Sequence, residues 1–143
     1  MLHRMDGATT RPAEAEAPPK IRVLLVDDHA VVRRGLKGFF ELLDDIVIVG
    51  EAEDGAQAVQ LVEQHQPDVV LCGHIHQAPF RRGGSWVDRI ADTWVFNAGQ
   101  QIGPVPAHVI IDTAARTASW YSLAGAEQLR LDDPGARPAP LVG

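Results

Sequence analysis

Cysteine is almost absent from these 143 residues: Cys72 stands alone. No intrachain disulfide can form, so a reducing, cytoplasmic setting is expected. Positive charge is also short, with 13 Lys and Arg against 19 Asp and Glu, a formal net charge of -6. That balance argues against a protein that coats nucleic acid, whose domains usually present a positive face. No apolar run approaches the roughly 20 residues of a membrane span. The first residues, MLHRMDGATTRPAEAEAPPK, lack the apolar core of a secretory signal. No membrane partner is therefore expected. What remains is an ordinary globular composition, 45% apolar and 22% charged, of a length that suits one domain.

Six of the ten prolines fall in residues 1–20 and 132–143, among Ala, Glu, Asp and Gly. Such segments cannot bury enough apolar surface to offset their ordering entropy, so both are read as disordered tails. Between them, Ile21–Val26 is a short apolar run with β-branched residues, ending at Asp27-Asp28, the pattern of a buried parallel strand. Val32, Leu36, Phe39, Phe40 and Leu43 then recur at helical spacing, with Arg33, Arg34, Lys37 and Glu41 mainly on other faces. Asp44-Asp45 breaks that helix. Ile46–Val49 reads as a second strand, Asp54-Gly55 as the start of a second helix, and Val69–Cys72 as a third strand after Pro67. Strand–helix–strand–helix–strand with short links implies a parallel sheet with right-handed crossovers.

Beyond residue 72 the helical pattern stops. Gly73–Ile90 reads as a long loop. Thr93–Phe96, His108–Ile111 and Ser119–Leu123 read as strands, the last two joined by a hairpin turn over Thr113–Thr117. The expected fold class is α/β: a truncated flavodoxin-like βαβαβ unit followed by a β-rich segment in a mixed sheet, whose C-terminal hairpin covers one edge. Trp86, Trp94 and Trp120 are expected in packing, Cys72 as a small buried hydrophobe, and Arg81-Arg82 on a solvated loop.

Ile21 to Leu71, with VDDH at a strand end, VVRRGL and VGEAEDGAQA, resembles a response-regulator receiver of the NarL-type branch. The resemblance implies an acidic pair, Asp27 and Asp28, holding Mg²⁺. It implies a third-strand aspartate that takes phosphate from a sensor histidine kinase, with a strand-five lysine beside it. Metal and lysine would neutralise the transferred phosphoryl group. In this register the phosphoacceptor position, two residues after Leu71, is Gly73, and neither Lys20 nor Lys37 can serve as the strand-five lysine. The helix-turn-helix output domain usual in that branch is not found in the sequence either.

From Leu71 to Leu131, with Gly73-His74-Ile75-His76 and a strand leading into Phe96-Asn97-Ala98-Gly99, the chain resembles the end of a calcineurin-like metallophosphoesterase. That resemblance implies His74 and His76 as ligands of Mn²⁺, Zn²⁺ or Fe. The Gly-Asp and Gly-Asn-His motifs of that family are missing. The two resemblances meet at Pro67–Leu71, which makes the chain an apparent chimera. A single hybrid metal site is expected to draw on Asp27, His74 and His76, with Asp28 and His29 as further ligands, against the alternative of a solvated strand end. The leading function is a receiver-like module of two-component phosphorelay signalling that cannot take phosphate at the usual position. It would act as an interaction domain for a kinase or another response regulator. The alternatives are a partial metallophosphoesterase, the only enzymatic reading, and a non-functional fusion.

Overall fold

The computed structural model describes residues 19–73, 78–80, 82–101 and 103–140. The expected tail 1–20 lies, up to residue 18, outside them. Chain order is β1 (Ile21–Val26), α1 (Ala30–Phe40), β2 (Ile46–Ala52), α2 (Gly55–His65), β3 (Val69–Cys72), a 3₁₀ turn (Ala78–Phe80), β4 (Val87–Ile90), β5 (Thr93–Phe96), β6 (His108–Asp112), β7 (Thr117–Ser122), β8 (Gly125–Arg130) and β9 (Ala139–Pro140).

The first sheet has order β2-β1-β3-β5-β4. β2, β1, β3 and β5 are parallel, and β4 closes the edge as the antiparallel partner of β5. Val23 and Leu25 alternate with Leu24 and Val26 across its two faces, and all four are buried because both faces are covered. On one face α2 lays Ala58 and Val62 against Leu24, Val26, Ala52 and Val70. Asp54 starts that helix, its side chain accepting the Gln57 N–H at 2.8 Å. A second cluster gathers Trp86, Val87 and Phe96 with Ala118, Trp120 and Leu129, and Val69 and Leu71 pack against it. The second sheet, β6-β7-β8-β9, therefore lies on the other face of the first.

The receiver-like α/β unit and the β-rich region with a mixed sheet stand as expected. Four details differ. Val87–Ile90 is a strand, not loop, because Val87 buries its side chain and pairs across to Phe96. That β4–β5 hairpin, not the C-terminal one, covers the sheet edge. β7 and β8 pair from Thr117 to Arg130 about a turn at Leu123-Ala124, and the C-terminal strands form a separate sheet stacked on a face. Residues 132–140, read as tail, include the Arg130–Asp132 ion pair and β9, which pairs with β8.

Amphipathic α1 has no buried residue. It is tied to β2 through Lys37 and Arg33, which lie 3.0 and 3.7 Å from the Glu51 carboxylate. Val32 and Leu36 stay 44% and 40% exposed, so part of its apolar side is open.

Candidate functional site at the C-terminal end of the parallel strands

In an open parallel sheet the strand C-termini point their following loops at one crevice, and functional side chains collect there. β1 delivers Asp27, Asp28 and His29 to this edge, and β3 delivers Gly73 beside them. Val26 pairs with Cys72, and the Gly73 N–H donates to the Val26 carbonyl at 2.8 Å. The Asp27 side chain is largely buried, whereas Asp28 and His29 face outward. Asp27 Oδ1 accepts the His29 backbone N–H at 2.8 Å and lies 3.2 Å from His29 Nδ1. The same ring nitrogen lies 2.7 Å from Asp28 Oδ1. One ligand atom from each of the three residues falls within 4.8 Å of the others.

Two neighbouring carboxylates are the donor set of a hard divalent cation, and Mg²⁺ commonly takes one or two carboxylates and completes its shell with water. Asp27 and Asp28 fit that role, and Gly73 adds no side-chain oxygen. A Cβ built on Gly73 would collide with Asp27 Oδ2, so the Asp27 carboxylate occupies the space a side chain at 73 would need. His74 and His76 lie outside the described residues. Of the hybrid set Asp27, His74 and His76, the structure describes Asp27 only, grouped with Asp28 and His29.

Arg33 departs from its expected solvent-side placement. Its Nη1 donates to the Asp27 carbonyl at 2.5 Å, fixing the backbone that carries the acidic pair. A basic residue six positions after Asp27, one helical turn into α1, was the available signal. Beside Gly73 the Cys72 thiol is half-buried, and burial pushes its pKa up to about 11. It is a packing thiol and not a nucleophile. A cleft of about 420 Å³, which the sequence did not announce, opens from Asp27 and Gly73 between α1 and β6.

Residues 23–75 match the response regulator receiver domain. That segment is similar to response-regulator receiver domains. It is 53% identical over 51 residues to the transcriptional regulatory protein LiaR of Bacillus subtilis, covering 36% of this chain and 24% of that protein. It is 43% identical over 49 residues to the nitrate/nitrite response regulator protein NarL of Escherichia coli, covering 34% and 23%. Among solved structures, the signal receiver domain of NarL from Mycobacterium tuberculosis is 44% identical over 38% of this chain and 44% of that one, with a TM-score of 0.37. The chain spans about a quarter of the length of the curated relatives it matches. The receiver match continues past Leu71 through Gly73. No helix among the described residues is long and apolar enough to cross a membrane.

Proposed function

We propose that this chain is a receiver module of two-component signalling that signals by binding and not by taking a phosphoryl group. The observation that carries this reading is Gly73. It ends β3 directly beside Asp27, where an aspartyl nucleophile would have to stand, and glycine has no carboxylate to attack phosphorus. Asp27 and Asp28 would hold Mg²⁺, whose charge would neutralise an anion brought to this edge. Arg33 keeps the Asp27 backbone in place. The partner is a sensor histidine kinase or another receiver, met in the cytoplasm. No DNA-binding unit is ascribed to these residues.

The test is incubation with acetyl phosphate and Mg²⁺ followed by intact-mass measurement. The parent should gain no phosphate, and Gly73→Asp should gain one. An acid-stable or hydroxylamine-labile phosphate on the parent chain overturns the reading.

A phosphoesterase reading of the C-terminal half has narrower support. The strand that leads into Phe96-Asn97-Ala98-Gly99 exists as β5, and Asn97 Oδ1 accepts the Gly99 N–H at 2.9 Å, shaping that turn. Its ligands would be His74 and His76 with Asp27, and its metals Mn²⁺, Zn²⁺ or Fe. Mn²⁺-dependent hydrolysis of a chromogenic phosphodiester, lost in His74→Ala/His76→Ala, would favour it. Failure of both assays together with no kinase binding would leave the non-functional fusion.

A further inference from the structure

α1 is apolar on the side where a surface helix is normally charged. The outermost row of α1 and of the turn that follows it is Val31, Gly35, Gly38 and Leu42, and Val31 and Leu42 are 85% and 78% exposed. Steps of four, three and four residues are the seam spacing of a two-helix coiled coil. Gly35 and Gly38 stand at the middle of the row with open space where a Cβ would be, so a second backbone can approach closely there. One flank of the row carries Arg34 and Glu41. The other carries Val32 and Phe39, the latter 61% exposed. The two residues of each flank are one heptad apart and lie nearly in line along the helix. Arg34 and Glu41 are both exposed, and no ion pair among the described residues includes either.

We infer that this row is the contact between two copies of the chain, their α1 helices packed antiparallel about a two-fold axis that passes between Gly35 and Gly38. Charge complementarity selects both the occupant and the direction. In an antiparallel pair each flank meets the same flank of the other helix, reversed end to end. Arg34 of each copy then faces Glu41 of the other, and Val32 of each faces Phe39 of the other. Parallel pairing would lay the charged flank on the apolar one and desolvate Arg34 against Phe39. A two-fold contact requires a patch that is complementary to itself, and this row, with its two flanks, meets that requirement within one chain. The inference stands apart from phosphorylation competence, since it uses neither Gly73, nor the acidic pair, nor a metal.

The test is sedimentation equilibrium of the full chain in EDTA at low salt, from about 1 µM to about 1 mM, the range in which small interfaces dissociate. The mass should climb from one chain toward two. Leu42→Asp, a change at an open position, should abolish the climb while the thermal melt stays that of the parent. Arg34→Glu and Glu41→Arg each set like charges against themselves and should raise the dimer dissociation constant about tenfold or more. Mixed in equal amounts, these two variants meet with opposite charges at both pairs, and a heterodimer as tight as the parent dimer should form. Circular dichroism of each variant alone verifies the parent's helix content before mixing. A parent that stays monomeric to the highest concentration overturns the inference, and so does a parent-like dimer of Leu42→Asp. Charge variants that associate like the parent, or a mixture no tighter than either variant alone, would overturn it too.

Discussion

Gly73 lies so close to Asp27 that the aspartate's Oδ2 fills the place of a Cβ at position 73. The other oxygen of that carboxylate is held by the His29 backbone N–H and faces the His29 ring. The acidic side chain has moved into room that a larger residue at the end of β3 would take.

Substituting position 73 therefore acts through Asp27. In Gly73→Ala the Asp27 carboxylate must swing out and give up its hydrogen bond to His29, at a cost of about 1–3 kcal/mol. Gly73→Asp adds a third carboxylate beside Asp27 and Asp28, so repulsion lowers stability further until a divalent cation relieves it. Thermal melts with and without Mg²⁺ check this. The account is wrong if both variants melt with the parent, or if Mg²⁺ raises the Ala and Asp variants equally.

Cys72 supplies a pH dependence of definite sign. Its pKa rises from 9.0 to about 11 because burial disfavours the thiolate. Below pH 9 folded and unfolded chains both carry the proton, and the thiol leaves stability unchanged. Between pH 9 and 11 the unfolded chain loses the proton while the folded chain keeps it, so stability falls as pH rises, by at most about 1.4 kcal/mol per pH unit. Cys72→Ser should flatten that limb of the denaturation midpoint against pH. At pH 8 the native thiol should react with a disulfide reagent far more slowly than the unfolded one, and equal rates would refute the burial.

Asp54→Ala should cost about 1 kcal/mol by leaving an N-terminal N–H of α2 without its cap. Because α2 carries Ala58 and Val62 into the core of the first sheet, the loss should appear in the global denaturation midpoint. A change confined to local exchange at residues 55–58 would show that α2 frays independently of the sheet.

The α/β half was legible because its elements obey local rules. β1 is a short apolar run with β-branched residues, α1 keeps its apolar spacing, and Asp54 sits where an N-cap belongs. The placement of Asp27 and Asp28 at a strand end followed from those same elements. The β-rich half was less legible, since its strands are short and their signals lie in distant partners. Val87–Ile90 holds an aspartate and an arginine and becomes a strand through pairing with Thr93–Phe96. β8, rich in polar residues, is a strand because β7 lies beside it. The Asp27–Gly73 contact and the cleft beside β6 depend on how α1 and the second sheet sit on the first. No periodicity encodes that arrangement.

Whether the two halves make one cooperative unit rests on Trp86 and Trp120. Their rings stack with centroids 6.3 Å apart and planes 8° from parallel, one leading into β4 of the first sheet and the other on β7 of the second. Each indole N–H is used: Trp86 donates to Glu127 at 2.7 Å and Trp120 to the Ala98 carbonyl at 2.9 Å. Glu127→Ala leaves the Trp86 N–H without its acceptor and should cost about 1–3 kcal/mol. Trp120→Ala opens a cavity between the sheets and should cost about 3–5 kcal/mol. In the parent, tryptophan fluorescence, which reports the sheet–sheet contact, and far-UV circular dichroism, to which α1 and α2 contribute strongly, should give coincident transitions. In Trp120→Ala both should shift together. Fluorescence lost early while the helical signal melts unchanged would mean that the second sheet is an appendage and that residues up to Cys72 hold their fold without it.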